Sequence, residues 1–83
     1  MFCLYILKSE RDEKLYIGST KNLERRILEH KNGKVKSTRN RLPLSLVYKE
    51  YFASKVEAQN KERYFKGGGK AHSLLKSLIR EFR

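Results

Sequence analysis

The stretch LYILKSERDEKLYIGSTKNLERRILEHKNG, residues 4–33, decides the fold. Two short runs rich in strand-forming residues, Phe2–Leu7 and Lys14–Gly18, stand on either side of a charged connection. Apolar and aromatic runs of this length, separated by a few polar residues, are typical of two strands joined as a hairpin. The sequence therefore predicts that the domain begins with a β-hairpin.

Two tyrosines lie in this predicted hairpin, one in each strand. If the turn is centred near Glu10 and Arg11, Tyr5 and Tyr16 are directly opposite each other, and strand alternation places both phenols on one face of the sheet. A pair of aromatic residues at a cross-strand position is also ordinary sheet packing. The pair gains a functional meaning only together with polar residues elsewhere in the chain.

A helix is predicted next, from about Leu23 to Lys31. Its candidate N-terminal caps are Ser19, Thr20 and Asn22, and Gly33 follows its end. Arg26 and His30 are four residues apart and so share one helix face. A sharp turn at Gly18 is expected to bring this face over the two phenols.

The remaining sequence predicts one more strand and two more helices. Leu44–Phe52 is the third strand, and Lys55–Lys66 is a helix that Ser54 caps and the glycines at 67–69 end. A short third helix that can cover the sheet is predicted from its apolar residues, which are Leu74, Leu75, Leu78, Ile79 and Phe82. A chain of 83 residues has room for one small domain, so we expect a single domain over residues 1–83.

Composition indicates a polyanionic partner. Twenty Lys and Arg against nine Asp and Glu give a net charge of +11, which favours nucleic acid. An anionic membrane is a weaker alternative, because the charges are spread over loops and several elements rather than along one amphipathic helix. The lone Cys3 is expected in the core, and with no apolar run long enough to span a bilayer the chain is expected to be cytoplasmic.

A basic segment between the first helix and the third strand is the expected phosphate contact. It is polar, without an apparent apolar anchor, and its candidate nucleic-acid-binding residues are Lys34, Lys36, Arg39 and Arg41. Such a segment contacts the backbone without reading bases, so little sequence preference is expected from it. The alternative is a mobile, solvated loop.

These residues resemble the GIY-YIG endonuclease domain family, and in particular its small single-domain members. Tyr5 falls on the tyrosine of the first half-motif, in which Cys3-Leu4-Tyr5 replaces the Gly-Ile-Tyr text, and Tyr16-Ile17-Gly18 falls on the second. Arg26 and His30 fall on the family's helix positions. In the later segment EAQNKERYFKGGGK, Glu62 falls on the family's metal-binding glutamate. No convincing equivalent of the downstream asparagine of larger members follows Leu74.

The resemblance implies an α+β fold, with a three-stranded antiparallel β-sheet flanked by α-helices. It also implies catalytic roles for Tyr5, Tyr16, Arg26, His30 and Glu62. Glu62 would hold one divalent ion, Mg²⁺ or Mn²⁺, and Arg26 would stabilise charge on the phosphate. Either phenol would be the general base, and His30 would orient a phenol or bind the phosphate. The alternative for Glu62 is an ordinary solvated helix glutamate.

The predicted function is therefore a metal-dependent endonuclease that hydrolyses DNA with little sequence specificity, in DNA repair or recombination. DNA is favoured over RNA, and a partner protein is unknown. The main alternative is a non-catalytic nucleic-acid-binding module of the same fold, for which charge and the basic segment would suffice. A small accessory protein is weaker, because no large apolar patch stands out in the polar segments.

Overall fold

The computed structural model describes residues 1–81 and has three strands, three α-helices and one turn of 3-10 helix (Arg39–Arg41) in this range. The elements are β1 (Phe2–Ser9), β2 (Leu15–Thr20), α1 (Leu23–Lys31), β3 (Leu44–Phe52), α2 (Lys55–Lys66) and α3 (Lys70–Glu81). Phe82, predicted to belong to the third helix, lies outside the described residues. No helix within residues 1–81 is long and apolar enough to cross a membrane.

The strands form one antiparallel sheet in the order β2-β1-β3, so the central strand is β1. One face packs against α2 and α3 through a cluster that contains Leu4, Ile6, Ile17, Phe65 and Leu75. The other face carries Tyr5 and contacts α1. The predicted α+β class, a three-stranded antiparallel sheet flanked by helices, is confirmed.

The predicted register of the hairpin is wrong by two residues. Tyr5 lies opposite Gly18, and Tyr16 lies opposite Leu7. The turn is displaced toward the C-terminus because Ser9 organises it: its backbone N–H donates to the Lys14 carbonyl oxygen over 3.0 Å, and its hydroxyl accepts backbone N–H bonds from the turn. A shift of two residues keeps every side chain on its face, so both phenols still share one face, as diagonal neighbours.

Local capping fixes the ends of α1 and α2 as predicted. Asn22 is the cap of α1, where its side chain accepts a hydrogen bond from the Arg25 backbone N–H over 3.0 Å. Ser54 caps α2 in the same way through the Glu57 N–H. Cys3 is buried and free, as expected for a core residue.

The basic segment after α1 is anchored, and the expectation that it lacks an apolar anchor is wrong. Val35 is buried, and its carbonyl oxygen accepts the backbone N–H groups of Thr38 and Arg39. The Thr38 side chain is also buried. The segment therefore packs against the fold while its long cationic side chains remain largely outside.

Candidate active site

Tyr5 and two residues of α1 form a hydrogen-bonded cluster on the α1 face of the sheet. The Tyr5 phenol is 1% exposed, and its Oη lies 3.0 Å from His30 Nε2. Arg26 Nε donates a hydrogen bond of 3.4 Å to the same oxygen. The four-residue spacing of Arg26 and His30 thus aims both side chains at one phenol, as the sequence predicted.

Tyr16 completes the cluster from β2. Its ring centroid lies 5.1 Å from that of His30 and 6.3 Å from that of Tyr5. Tyr16 is half-buried, whereas Tyr5 and His30 are 1% exposed. Among the residues that were predicted to be catalytic, four therefore meet on one face, and Tyr16 is the more accessible phenol.

Gly18 makes room for this cluster, and the predicted sharp turn at this glycine is wrong. It lies inside β2, directly opposite Tyr5. A Cβ atom at this position would lie 2.7 Å from Tyr5 Oη and 3.2 Å from the Tyr16 ring. A glycine is therefore required here by the close approach of the phenols to the strand.

The electrostatics of the cluster keep its phenol and imidazole neutral near pH 7. Burial raises the pKa of Tyr5 to about 12, against the opposing effect of the hydrogen bond from Arg26. Burial, with the Arg26 cation, lowers the pKa of His30. Hydrogen bonds to Tyr5 and Glu29 raise the pKa of Arg26, which stays cationic. The site thus joins one permanent cation to two neutral groups that can exchange a proton.

Thr38 is part of this cluster, although no pattern in the sequence selects it. Its Oγ1 lies 2.7 Å from His30 Nδ1, and both side chains are buried. Thr38 stands in a segment noted only for its cations. Its role depends on how that segment folds back onto α1, which local sequence patterns do not report.

Glu62 lies apart from the phenols, on the opposite side of β2. Its Oε1 accepts a hydrogen bond of 2.9 Å from the hydroxyl of Ser19, and its Oε2 lies 2.7 Å from Lys66 Nζ. Ser19 shares the sheet face of Ile17, which packs against α2, whereas Tyr5 and Gly18 face α1. The Glu62 charge still contributes to raising the pKa of Tyr5, after the larger effect of burial.

The surroundings of Glu62 fit a divalent ion held by a single carboxylate. Within residues 1–81, no group of three or more His, Cys, Asp or Glu side chains is placed to hold a metal. Mg²⁺ commonly binds one or two carboxylates and takes its other ligands from water and substrate phosphate. Glu62 is part-buried and borders a cleft of about 300 Å³ that Gln59 and Arg63 also line. The Lys66 ammonium lies 2.7 Å from one of its oxygens, Oε2.

Of the four candidate phosphate-binding side chains in the basic segment, three are exposed and one forms an ion pair within the fold. Lys34, Lys36 and Arg39 are exposed. Arg41 is partly buried, and its Nε lies 3.3 Å from Asp12 Oδ2 in an ion pair. The structure thus gives Arg41 a partner within the fold and leaves the other three side chains available to phosphate.

Comparison with known proteins gives one family. A family model described as the GIY-YIG catalytic domain matches residues 1–74. The chain is 55% identical to the UPF0213 protein CPE1444 of Clostridium perfringens, over 76% of this chain and 68% of that protein. It is 51% identical to UPF0213 protein BLi00048/BL00536 of Bacillus licheniformis, over 75% and 64%. The match to these two relatives thus spans about two thirds of their length.

A solved structure agrees with this family match. The solution NMR structure of the UPF0213 protein BH0048 from Bacillus halodurans is 38% identical to this chain and aligns with a TM-score of 0.60. The alignment covers 94% of this chain and 85% of that one.

Proposed function

Because this chain belongs to the GIY-YIG family, a family of nucleases that generally use divalent metal ions, we propose that it is an endonuclease that hydrolyses DNA phosphodiester bonds with little sequence specificity. One observation carries the proposal: Tyr5, Tyr16, Arg26 and His30 converge on one face of the sheet. We further propose one Mg²⁺ or Mn²⁺ ion as the cofactor, the cytoplasm as the location, and DNA repair or recombination as the setting.

Arg26 is the group that neutralises charge on the scissile phosphate. Its Nε donates to Tyr5 and its Nη1 to Glu29 Oε1 over 3.0 Å, so the plane of the guanidinium is held from two sides. The side chain remains about one third exposed, and its other N–H groups are available to phosphate oxygens. A planar, permanently charged fork suits the developing charge better than an ammonium does.

Tyr5 acts as the general base through a relay with His30. A phenol with a pKa of about 12 is almost entirely protonated near neutrality, so a free phenolate would be scarce. The Tyr5 oxygen can nevertheless accept a proton from the attacking water while its own proton passes to His30 Nε2, 3.0 Å away. Tyr16, which is half-buried beside both rings, orients the water.

Glu62 is the proposed metal ligand, with Ser19 as the residue that orients its carboxylate. A divalent ion bound there would supply Lewis-acid stabilisation of the phosphate and of the leaving oxygen. The Ser19 hydroxyl donates to Glu62 Oε1. The ion would therefore bind Glu62 Oε2, which lies beside the Lys66 ammonium.

Cleavage assays with matched variants test this function. Labelled single-stranded, duplex, flapped and nicked DNA is incubated with the protein with and without Mg²⁺ or Mn²⁺. We expect metal-dependent cutting that Glu62→Gln and Arg26→Lys reduce by about a hundredfold or more. The exposed neighbours provide the controls, Glu24→Gln and Arg25→Lys, which should cut as the wild type does. Absent or metal-independent cutting contradicts the proposal, and salt-sensitive binding without cutting supports the non-catalytic binding module instead.

The same assay distinguishes the roles of Tyr5 and Tyr16. Tyr5→Phe removes the relay and should reduce single-turnover cutting by about a hundredfold or more, whereas Tyr16→Phe should reduce it less. DNA binding should be unchanged in both variants. A larger loss in Tyr16→Phe than in Tyr5→Phe contradicts the relay and makes Tyr16 the base.

A further inference from the structure

The hydrogen bonds of Tyr5 fix the direction of its proton. The phenol oxygen accepts a hydrogen bond from Arg26 Nε, and its single O–H must donate to some other group. The side chain is 1% exposed, so in the DNA-free protein a group of the protein must accept this proton. Within the described part of the chain, the acceptor in reach is His30 Nε2, at 3.0 Å. Nε2 is therefore unprotonated and accepts the phenol proton.

The proton of the neutral imidazole must then be on the other ring nitrogen. His30 Nδ1–H donates to Thr38 Oγ1 over 2.7 Å, the shortest contact of the cluster. The reverse tautomer would aim Nε2–H at an oxygen that already accepts from Arg26, and would leave the buried phenol proton without an acceptor. The reverse tautomer would let Thr38 donate to Nδ1 but would strand the phenol proton, whereas in the Nδ1–H tautomer the Thr38 hydroxyl can rotate its own proton toward another acceptor. The Nδ1–H tautomer is therefore the better match to the hydrogen bonds of the cluster.

The backbone holds Thr38 in place for this bond. The Thr38 N–H donates to the Val35 carbonyl oxygen over 3.1 Å, and its own carbonyl oxygen accepts from the Arg41 N–H over 2.8 Å. The buried Val35 side chain anchors the same turn, and Thr38 is 0% exposed. The hydroxyl is thus fixed on the side of His30 that faces away from the phenol.

We propose that Thr38 is a positioning residue that holds His30 in its Nδ1–H tautomer and so keeps Nε2 open to the proton of Tyr5. The tautomer is inferred from the hydrogen bonds of Tyr5, His30 and Thr38, and its consequence for cleavage rests on the proposed function. Thr38 touches neither substrate nor phenol and acts through His30. The basic segment that carries Lys34, Lys36 and Arg39 therefore also supplies the hydroxyl that completes the proton relay.

NMR of the histidine rings tests the tautomer without reference to activity. The chain has two histidines, and His72 is exposed, so a His72→Gln variant assigns the His30 signals. In long-range ¹H–¹⁵N spectra of the wild type near pH 8, we expect Nε2 of His30 at the unprotonated position and Nδ1 at the protonated one. Thr38→Val, which removes the hydroxyl, should shift this pattern toward a tautomer mixture, and Thr38→Ser should keep it.

Single-turnover cleavage tests the consequence. Thr38→Val should cut about tenfold or more slowly with unchanged DNA affinity, and Thr38→Ser should restore most of the rate. Thermal unfolding of both variants checks that they fold. An Nε2–H tautomer in the wild type, or an unchanged His30 pattern in Thr38→Val, overturns the assignment. A wild type with the Nδ1–H tautomer that does not cut DNA contradicts the proposed function and leaves the assignment of Thr38 intact.

Discussion

His30 links the stability of the fold to pH, because its imidazole is buried in the neutral form. Burial and the Arg26 cation lower its pKa, whereas in the unfolded chain it keeps its ordinary value of about 6.5. Between these two pKa values the unfolded chain binds a proton that the folded chain does not. The contribution of His30 is therefore fully present above about pH 6.5 and is lost as the pH falls through the folded pKa.

Urea unfolding from pH 8 to pH 5 measures this effect. In this interval we expect His30 to make the free energy of unfolding fall by at most about 1.4 kcal/mol per pH unit, on top of the carboxylate contribution. A His30→Gln variant starts less stable but should show a shallower decline, and the exposed His72→Gln variant should parallel the wild type. Equal declines in the His30→Gln and wild-type proteins would exclude a neutral buried imidazole.

At the residue scale, the sequence predicted the side chains of unusual chemistry and missed their partners. Tyr5, Tyr16, Arg26 and His30 were selected from motif and helix spacing, and the structure brings them together. Ser19 was considered only as a helix cap, but it donates to Glu62, 43 positions further along the chain. Hydroxyl residues are common and make their contacts through tertiary folding, so local patterns do not distinguish them.

At the scale of elements, the predicted bounds of α1, α2 and β3 agree with the structure, whereas β1 and β2 each end two residues later than predicted and pair in a different register. The bounds predicted for α1, α2 and β3 match because caps and breakers act within a few residues. The hairpin register was wrong because a shift of two residues leaves the apolar pattern on the same face. The sequence predicts a turn at Gly18 because no local pattern reveals that a phenol packs against the strand there.

Lys66 of α2 forms an ion pair with Glu62, the proposed metal ligand on the same helix. Lys66 and Glu62 are four residues apart on one face, and the ammonium lies 2.7 Å from Oε2. Because Lys66 is about half exposed, this ion pair is weak, yet it competes with a divalent ion for the same oxygen. We therefore expect Lys66→Ala to bind Mn²⁺ more tightly, by up to about fivefold.

Electron paramagnetic resonance of Mn²⁺ titrated with DNA-free protein measures this affinity. The charge-matched control is Lys70→Ala, an exposed residue of α3 that should leave Mn²⁺ binding unchanged. Glu62→Gln should abolish the difference between the wild type and Lys66→Ala. If Lys66→Ala binds Mn²⁺ no better than Lys70→Ala does, then Lys66 does not compete for the site.

For the whole molecule, composition predicts a polyanionic partner but does not show which Lys and Arg side chains are exposed and available to bind it. The net charge of +11 is a property of the sequence. The structure adds that Arg41 is engaged with Asp12, whereas the rest of its segment points Lys34, Lys36 and Arg39 into solvent. The same segment is tied to the active site through Thr38 and His30. Bound phosphates and the reacting phosphate should therefore lie on one side of the molecule.

The salt dependence of DNA binding tests this asymmetry. Log affinity falls as log salt concentration rises, because counterions are released on binding. Each phosphate that a cation neutralises makes this decline steeper by about 0.7 to 0.9. Replacing Lys34, Lys36 and Arg39 with alanine should therefore lower that slope by about two to three, measured by fluorescence anisotropy between low and moderate salt. The control triple is Lys14, Lys70 and Lys76, which are exposed on the side of the sheet that carries α3. Because both triples remove the same net charge, equal slopes would mean that DNA binds through the overall field of the protein and not through the segment beside the active site.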